Sequence, residues 1–82
     1  MSLRDRWRLG VNWFTVLKAA KELSSDPNFE PTTQREFAEA ILCHLSGMNR
    51  PQAVKDGIDW DSLIEFIERI LPLILEIIML FL

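Results

Sequence analysis

The last 24 residues of the chain, DWDSLIEFIERILPLILEIIMLFL from Asp59 to Leu82, constrain the fold more than any other segment. On a helical wheel at 100° per residue, their charged and polar side chains fall within a sector of about 120°. The remaining sector, roughly 200° wide, is apolar. A surface helix usually buries an apolar stripe only slightly wider than ~100°. We therefore predict a long helix over residues 59–82 that contacts at least two other helices.

Both the start of this helix and its one proline have structural consequences. Asp59 can cap the N-terminus with its carboxylate. Ile58 and Leu63 have the spacing of a hydrophobic staple across that cap. Pro72 removes one backbone hydrogen bond, at a cost of ~3 kcal/mol. Because Pro72 lies on the polar side of the wheel, we predict a bend within one helix rather than two shorter helices.

The N-terminal part of the chain predicts a second long helix, over residues 2–24. Apolar residues recur there at helical rather than strand spacing. Ser2 is the candidate N-cap, with Asp5 in the capping-box position. Gly10 costs about 1 kcal/mol relative to alanine inside a helix. We explain it by the close approach of another helix, with a local kink as the alternative.

The middle of the chain predicts a third helix, over residues 32–47. Thr33 and Glu36 have the spacing of a capping box at its start, and Gly47 is a natural terminator. Residues 51–56 read as a short helical turn or an ordered loop.

Composition agrees with a small globular domain. Apolar residues make up 49% of 82 residues and the net charge is only −3, so the chain is neither disordered nor strongly charged. No segment has the alternation of a strand. We predict an all-α fold of one domain, residues 1–82: a small bundle of three main helices, with the short turn as a fourth element.

Catalytic and metal-binding motifs are missing from the sequence. His44 is the only histidine and Cys43 the only cysteine. Adjacent helical residues point ~100° apart, so the two do not form a nucleophile–base pair. A zinc site needs three or four ligands, and the three glycines are too far apart for a phosphate-binding loop. We predict no enzymatic activity, no metal and no cofactor.

The width of the apolar arcs predicts that part of this surface contacts something outside the chain. We expect a non-enzymatic interaction or assembly protein, cytoplasmic or part of an assembled particle. Its partner would be a second copy of itself or a larger complex, such as a virus particle or a multisubunit assembly. The predicted interaction surface comprises Trp7, Trp13, Ile67, Ile70, Leu71, Ile74, Ile77, Ile78, Phe81 and Leu82.

Two other functions are weighed against assembly. The first is membrane association, because the apolar tail is similar to those of phage membrane proteins. Its uninterrupted part, Ile70 to Leu82, gives ~20 Å of helix against a ~30 Å hydrocarbon core, so an embedded amphipathic segment is favoured over a span. The second is weak nucleic-acid binding by Arg4, Arg6 and Arg8, which net charge disfavours.

Overall fold

The computed structural model describes residues 3–80, with side chains from residue 6 onward. Within that range the chain forms α-helices joined by turns and no strand, so the predicted all-α class is confirmed. The helices are α1 (Leu3–Leu9), α2 (Trp13–Ser24), α3 (Gln34–Ser46), α4 (Arg50–Lys55) and α5 (Trp60–Leu80).

The first predicted helix is divided in two, so the prediction of one helix over residues 2–24 is wrong. Gly10 has φ of 68°, which ends α1 in the left-handed region. No atom lies within 4 Å of the position that a Cβ of Gly10 would occupy, so close helix approach does not explain this glycine. The predicted cap at Ser2 and Asp5 lies outside the described residues and side chains.

A new N-terminus begins directly after this break. Asn12 caps α2: its Oδ1 accepts from the backbone N–H of Thr15 at 3.0 Å, and Thr15 Oγ1 accepts from the N–H of Asn12 at 3.0 Å. This reciprocal pair satisfies two backbone donors that a helix start leaves without partners. The prediction of one continuous helix over residues 2–24 missed this capping pattern.

The start of α3 confirms half of the predicted capping box. Thr33 Oγ1 accepts from the N–H of Glu36 at 3.1 Å. The Glu36 carboxylate does not return to Thr33, however, but accepts from the backbone N–H of Thr32 at 2.7 Å and from its hydroxyl. Gly47 ends the helix with φ of 69°, as predicted.

The connection to the last helix is α4 rather than a loop. Asn49 caps it, and Ala53 is fully buried beneath the core. Val54, the next residue, is exposed.

The long helix α5 runs without interruption through Pro72. The helix is therefore not divided into two shorter helices, as predicted, and the predicted bend stays a prediction. Asp59 caps the helix by accepting from the N–H of Ser62 at 3.3 Å, and Ile58 and Leu63 are both buried.

The core forms where α5 lies against α3 and α2, with α4 closing one end. Its largest fully enclosed side chains come mostly from α5 and α3. Phe29, in the α2–α3 loop, packs edge-to-face on Phe37 with ring centroids 5.2 Å apart, so the loop folds back on the bundle. The largest enclosed side chains are Val16, Ile41, Leu42, Trp60, Leu63, Ile64, Ile67, Leu71 and Ile74.

Candidate interaction surface

Most of the predicted C-terminal surface lies inside the chain's own core. On the wheel, the buried residues of α5 occupy an arc of about 120°, which α3 and α2 together cover. Ile77 is half-buried, and Phe81 and Leu82 lie outside the described residues. We predicted that part of the apolar arc packs within the chain and part contacts a partner, but the residues assigned to the partner included the centre of the arc, which the chain's own helices enclose. The predicted surface residues placed in the core are Ile67, Ile70, Leu71, Ile74 and Ile78.

The apolar residues that remain exposed on α5 lie at the margin of this arc. Leu73 is 52% exposed and Leu80 is 81% exposed. They are seven residues apart, and Phe66 precedes Leu73 by seven, so all three follow one line along the helix. Ile77 lies beside this line. We refer to Phe66, Leu73, Ile77 and Leu80 as the outer stripe of α5.

The last turn of α5 widens this apolar surface. Met79 is 74% exposed and lies on the opposite margin of the helix, where the polar sector would continue. The sequence contained this signal, because Met79 and Leu80 both interrupt the polar sector.

A second apolar surface belongs to α2. Phe14 is 73% exposed and Trp13 is 46% exposed. Lys18 and Lys21 follow Phe14 by four and seven residues, so they lie on the same side of the helix as its ring. With the half-buried Leu17 between them, these residues form what we call the outer face of α2: Trp13, Phe14, Leu17, Lys18 and Lys21.

The short helix α1 reaches the outer stripe of α5 through one contact. The guanidinium carbon of Arg6 lies 3.9 Å from the ring centroid of Phe66, a cation–π arrangement. Nε of Arg6 is buried without a hydrogen-bond partner. Trp7, the next residue, is 83% exposed. Arg6 is therefore occupied within the chain, and of the three arginines proposed for nucleic-acid contact only Arg8 is described as exposed.

The acidic side chains near the start of α5 belong to a network of ion pairs between helices. Asp61 Oδ1 accepts from Arg35 at 3.0 Å and from Arg50 at 2.9 Å. Arg35 also contacts Glu68 at 3.1 Å, and Arg50 contacts Glu39 at 2.9 Å. These pairs join α3, the start of α4 and the first turns of α5. Ion pairs of this kind connect neighbouring helices. The carboxylates contact arginine side chains and do not line a cleft.

His44 and Cys43 have separate surroundings. His44 Nε2 lies 2.7 Å from Glu22 Oε2, so this histidine links α3 to α2. Burial, reinforced by the nearby Glu39 carboxylate, raises the pKa of the Cys43 thiol. A thiol with a raised pKa holds little thiolate near neutral pH and is a poor nucleophile. The two residues do not interact as a catalytic pair.

The described residues form neither a metal-binding cluster nor a membrane-spanning helix. No group of three or more histidine, cysteine, aspartate or glutamate side chains in residues 6–80 is arranged to hold a metal ion. Among the helices that the structure describes, none combines the length and the apolar character that crossing a bilayer requires.

No family model, no curated protein and no solved structure matches the chain. Function must therefore be inferred from the exposed residues themselves.

Proposed function

We propose that the protein is a non-enzymatic assembly protein that associates through the exposed part of its C-terminal helix. The observation that supports this is the exposure of Leu73 and Leu80, seven residues apart on one line of the helix, with Met79 also exposed in the last turn. Single exposed apolar residues are ordinary, whereas contiguous ones indicate a contact with a partner. Ile77 extends the same surface from its half-buried position.

This proposal moves the contact from the centre of the apolar arc to its margin. The centre stabilises the protomer, because α2 and α3 cover it. The margin is left for a second copy or for a larger complex. Each chain would then keep its own core when the assembly dissociates.

The experiment measures the molar mass of the purified chain by size-exclusion chromatography with light scattering, across a hundredfold range of concentration. We expect a measured molar mass above the 9.6 kDa of the monomer, and we expect this mass to decrease on dilution. The double variant Leu73→Ser and Leu80→Ser should be a folded monomer at every concentration. Val54→Ser is the matched control, because it removes an exposed aliphatic side chain from α4 and should leave the mass unchanged.

Two results would contradict the proposal. One is a parent chain that is monomeric at every concentration and with which no other protein co-purifies. The other is a double variant that keeps the parental mass, since the contact would then lie elsewhere.

Peripheral membrane attachment is the second candidate, favoured by the exposure of Trp7, Phe14 and Leu80. Aromatic and aliphatic side chains of this kind insert at the boundary between headgroups and acyl chains. Sedimentation with phosphatidylcholine vesicles tests it. Binding of the parent and loss of binding in the Leu73→Ser and Leu80→Ser variant would support a membrane over a protein partner.

A further inference from the structure

The outer face of α2 and the C-terminal part of the outer stripe of α5, from Leu73 to Leu80, carry opposite charge. Lys18 and Lys21 are exposed beside the apolar residues of α2. Glu22, the acidic residue of that helix, points away toward His44 of α3. On α5, the exposed Glu76 lies between Leu73 and Leu80, three residues after one and four before the other. The exposed Arg69 lies three residues after Phe66 and four before Leu73, so the N-terminal part of the stripe is basic. The C-terminal part, from Leu73 to Leu80, carries Glu76 and is opposite in charge to the outer face of α2.

These charges are available for an outside contact. Lys18, Lys21 and Glu76 take part in none of the ion pairs found among residues 6–80. By contrast, Asp61 and Glu68, nearer the start of α5, are engaged by arginine side chains. Glu76, near the C-terminal end of α5, is therefore free to pair with a cation of another chain, whereas Asp61 and Glu68 are already paired with arginine.

We propose that the partner is a second copy of this chain, bound with the outer face of α2 of each copy against the outer stripe of α5 of the other. This rests on the proposed function and specifies its geometry. The contact occurs twice around a twofold axis, since one chain contains both complementary surfaces. Lys18 and Lys21 of one copy face Glu76 of the second, while Phe14 and Leu17 pack on Leu73 and Leu80.

The size of a stable interface favours using both surfaces. A standard interface buries about 800 Å² on each partner, which is roughly one seventh of the 5516 Å² surface of this chain. A few aliphatic residues of α5 meeting their own copies would bury much less than that. The reciprocal contact adds the exposed aromatic rings of α2 and brings opposite charges together.

An anionic bilayer fits these observations less well. It would attract Lys18 and Lys21 beside Phe14. It would also repel Glu76 and leave the outer stripe of α5 uncovered. A second copy covers the outer face of α2 and the C-terminal part of the outer stripe at once, and it places Lys18 and Lys21 opposite Glu76.

Charge exchange tests the pairing directly. Lys18→Glu with Lys21→Glu forms one variant and Glu76→Lys forms the other, each measured alone by analytical ultracentrifugation. We expect the dimer dissociation constant of each to rise at least roughly tenfold, because like charges then face each other. Mixed in equal amounts, the two variants should form a heterodimer of near-parental affinity. One of its two contacts carries exchanged charges and the other is native.

The control is Lys55→Glu, which reverses an exposed charge on α4 and should leave the dissociation constant unchanged. Circular dichroism confirms that each variant stays helical. Failure of the mixture to associate more strongly than its components would overturn the reciprocal pairing.

Failure of this pairing is distinguishable from failure of the proposed function. If Leu73→Ser with Leu80→Ser dissociates the assembly while the charge variants do not, association through α5 stands and the pairing with α2 is wrong. A monomeric parent contradicts the pairing, and it contradicts the proposed function as well when no other protein co-purifies with the chain. Should the monomer bind vesicles of phosphatidylcholine and phosphatidylglycerol, with loss of binding in Lys18→Glu with Lys21→Glu, the partner of α2 is an anionic membrane instead.

Discussion

The buried indole of Trp60 donates its N–H to Oε2 of Glu39 at 3.0 Å. The same carboxylate oxygen accepts from Arg50 at 2.9 Å. Trp60 is the first residue of α5, and Glu39 lies in the middle of α3. One carboxylate therefore anchors the start of the long helix to α3 and to the beginning of α4. The large apolar ring enters the core while its polar atom keeps a partner at the margin, as buried tryptophans usually require.

Removing this acceptor should destabilise the protein. Glu39→Ala leaves the Trp60 N–H without its partner, and we expect the free energy of unfolding to fall by about 1–3 kcal/mol. Glu39→Gln keeps an oxygen acceptor and loses only an exposed ion pair, so it should cost less than about 1 kcal/mol. Urea unfolding followed by tryptophan fluorescence measures both. Equal losses in the two variants would show that the ion pair, rather than the indole hydrogen bond, is the stabilising contact.

Adjacent residues of α5 should differ sharply in their contribution to stability. Ile74 is fully buried, whereas Leu73 is about half exposed. Ile74→Ala should lower the free energy of unfolding by about 2–5 kcal/mol through lost burial and the cavity left behind. Leu73→Ala should cost under about 1 kcal/mol in the monomer, since its side chain is only partly removed from water. Thermal melts at a concentration below that of association test the contrast, and similar losses at both positions would contradict the assigned core.

Acid should weaken the start of α3. Hydrogen bonds from the Thr32 hydroxyl and then the Thr32 N–H lower the pKa of Glu36. A folded-state pKa below the unfolded value gives stability that is present above the unfolded pKa, about 4.3 for glutamate. That stability is lost as pH falls through the folded pKa. When the pH is lowered below about 4.3, we expect the urea concentration at the unfolding midpoint of the parental chain to decrease. The decrease should be less steep in Glu36→Gln, which has no carboxylate to protonate.

A direct titration separates this group from other acids. Carbon-13 NMR of the Glu36 carboxyl should give a pKa below the usual glutamate value, and Thr32→Val should raise it because the hydroxyl donor is lost. A value unchanged by Thr32→Val would contradict the assignment of the cause.

The break between α1 and α2 depends on the backbone of Gly10. A non-glycine residue at φ of 68° is strained, although space is available for its side chain. Gly10→Ala should therefore cost roughly 1 kcal/mol, and Gly10→Asn should cost less, because asparagine tolerates the left-handed region. Urea unfolding measures both variants. An alanine variant at least as stable as the parent would indicate that the N-terminal segment tolerates a continuous helix.

Local signals in the sequence located most helix ends. Thr33, Gly47 and Asp59 were each assigned the terminal role that they have in the structure, because caps act through their own neighbours. The failure at Gly10 has the same local origin. Gly10 followed two residues later by Asn12 is the pattern of one helix ending and another beginning. The helical spacing of apolar residues on both sides concealed that boundary.

The sequence by itself determined that this chain is all-α and that α5 has more apolar surface than one neighbouring helix can cover. Periodicity carries that information, since it depends only on residue order. Which part of the surface is covered was decided by tertiary structure alone. The packing of α2 and α3 encloses Ile74 and Ile78 and leaves Leu73 and Leu80 outside, although all four lie in one segment. A helical wheel gives the width of an apolar arc, but the positions of the neighbouring helices determine which side chains of that arc are buried.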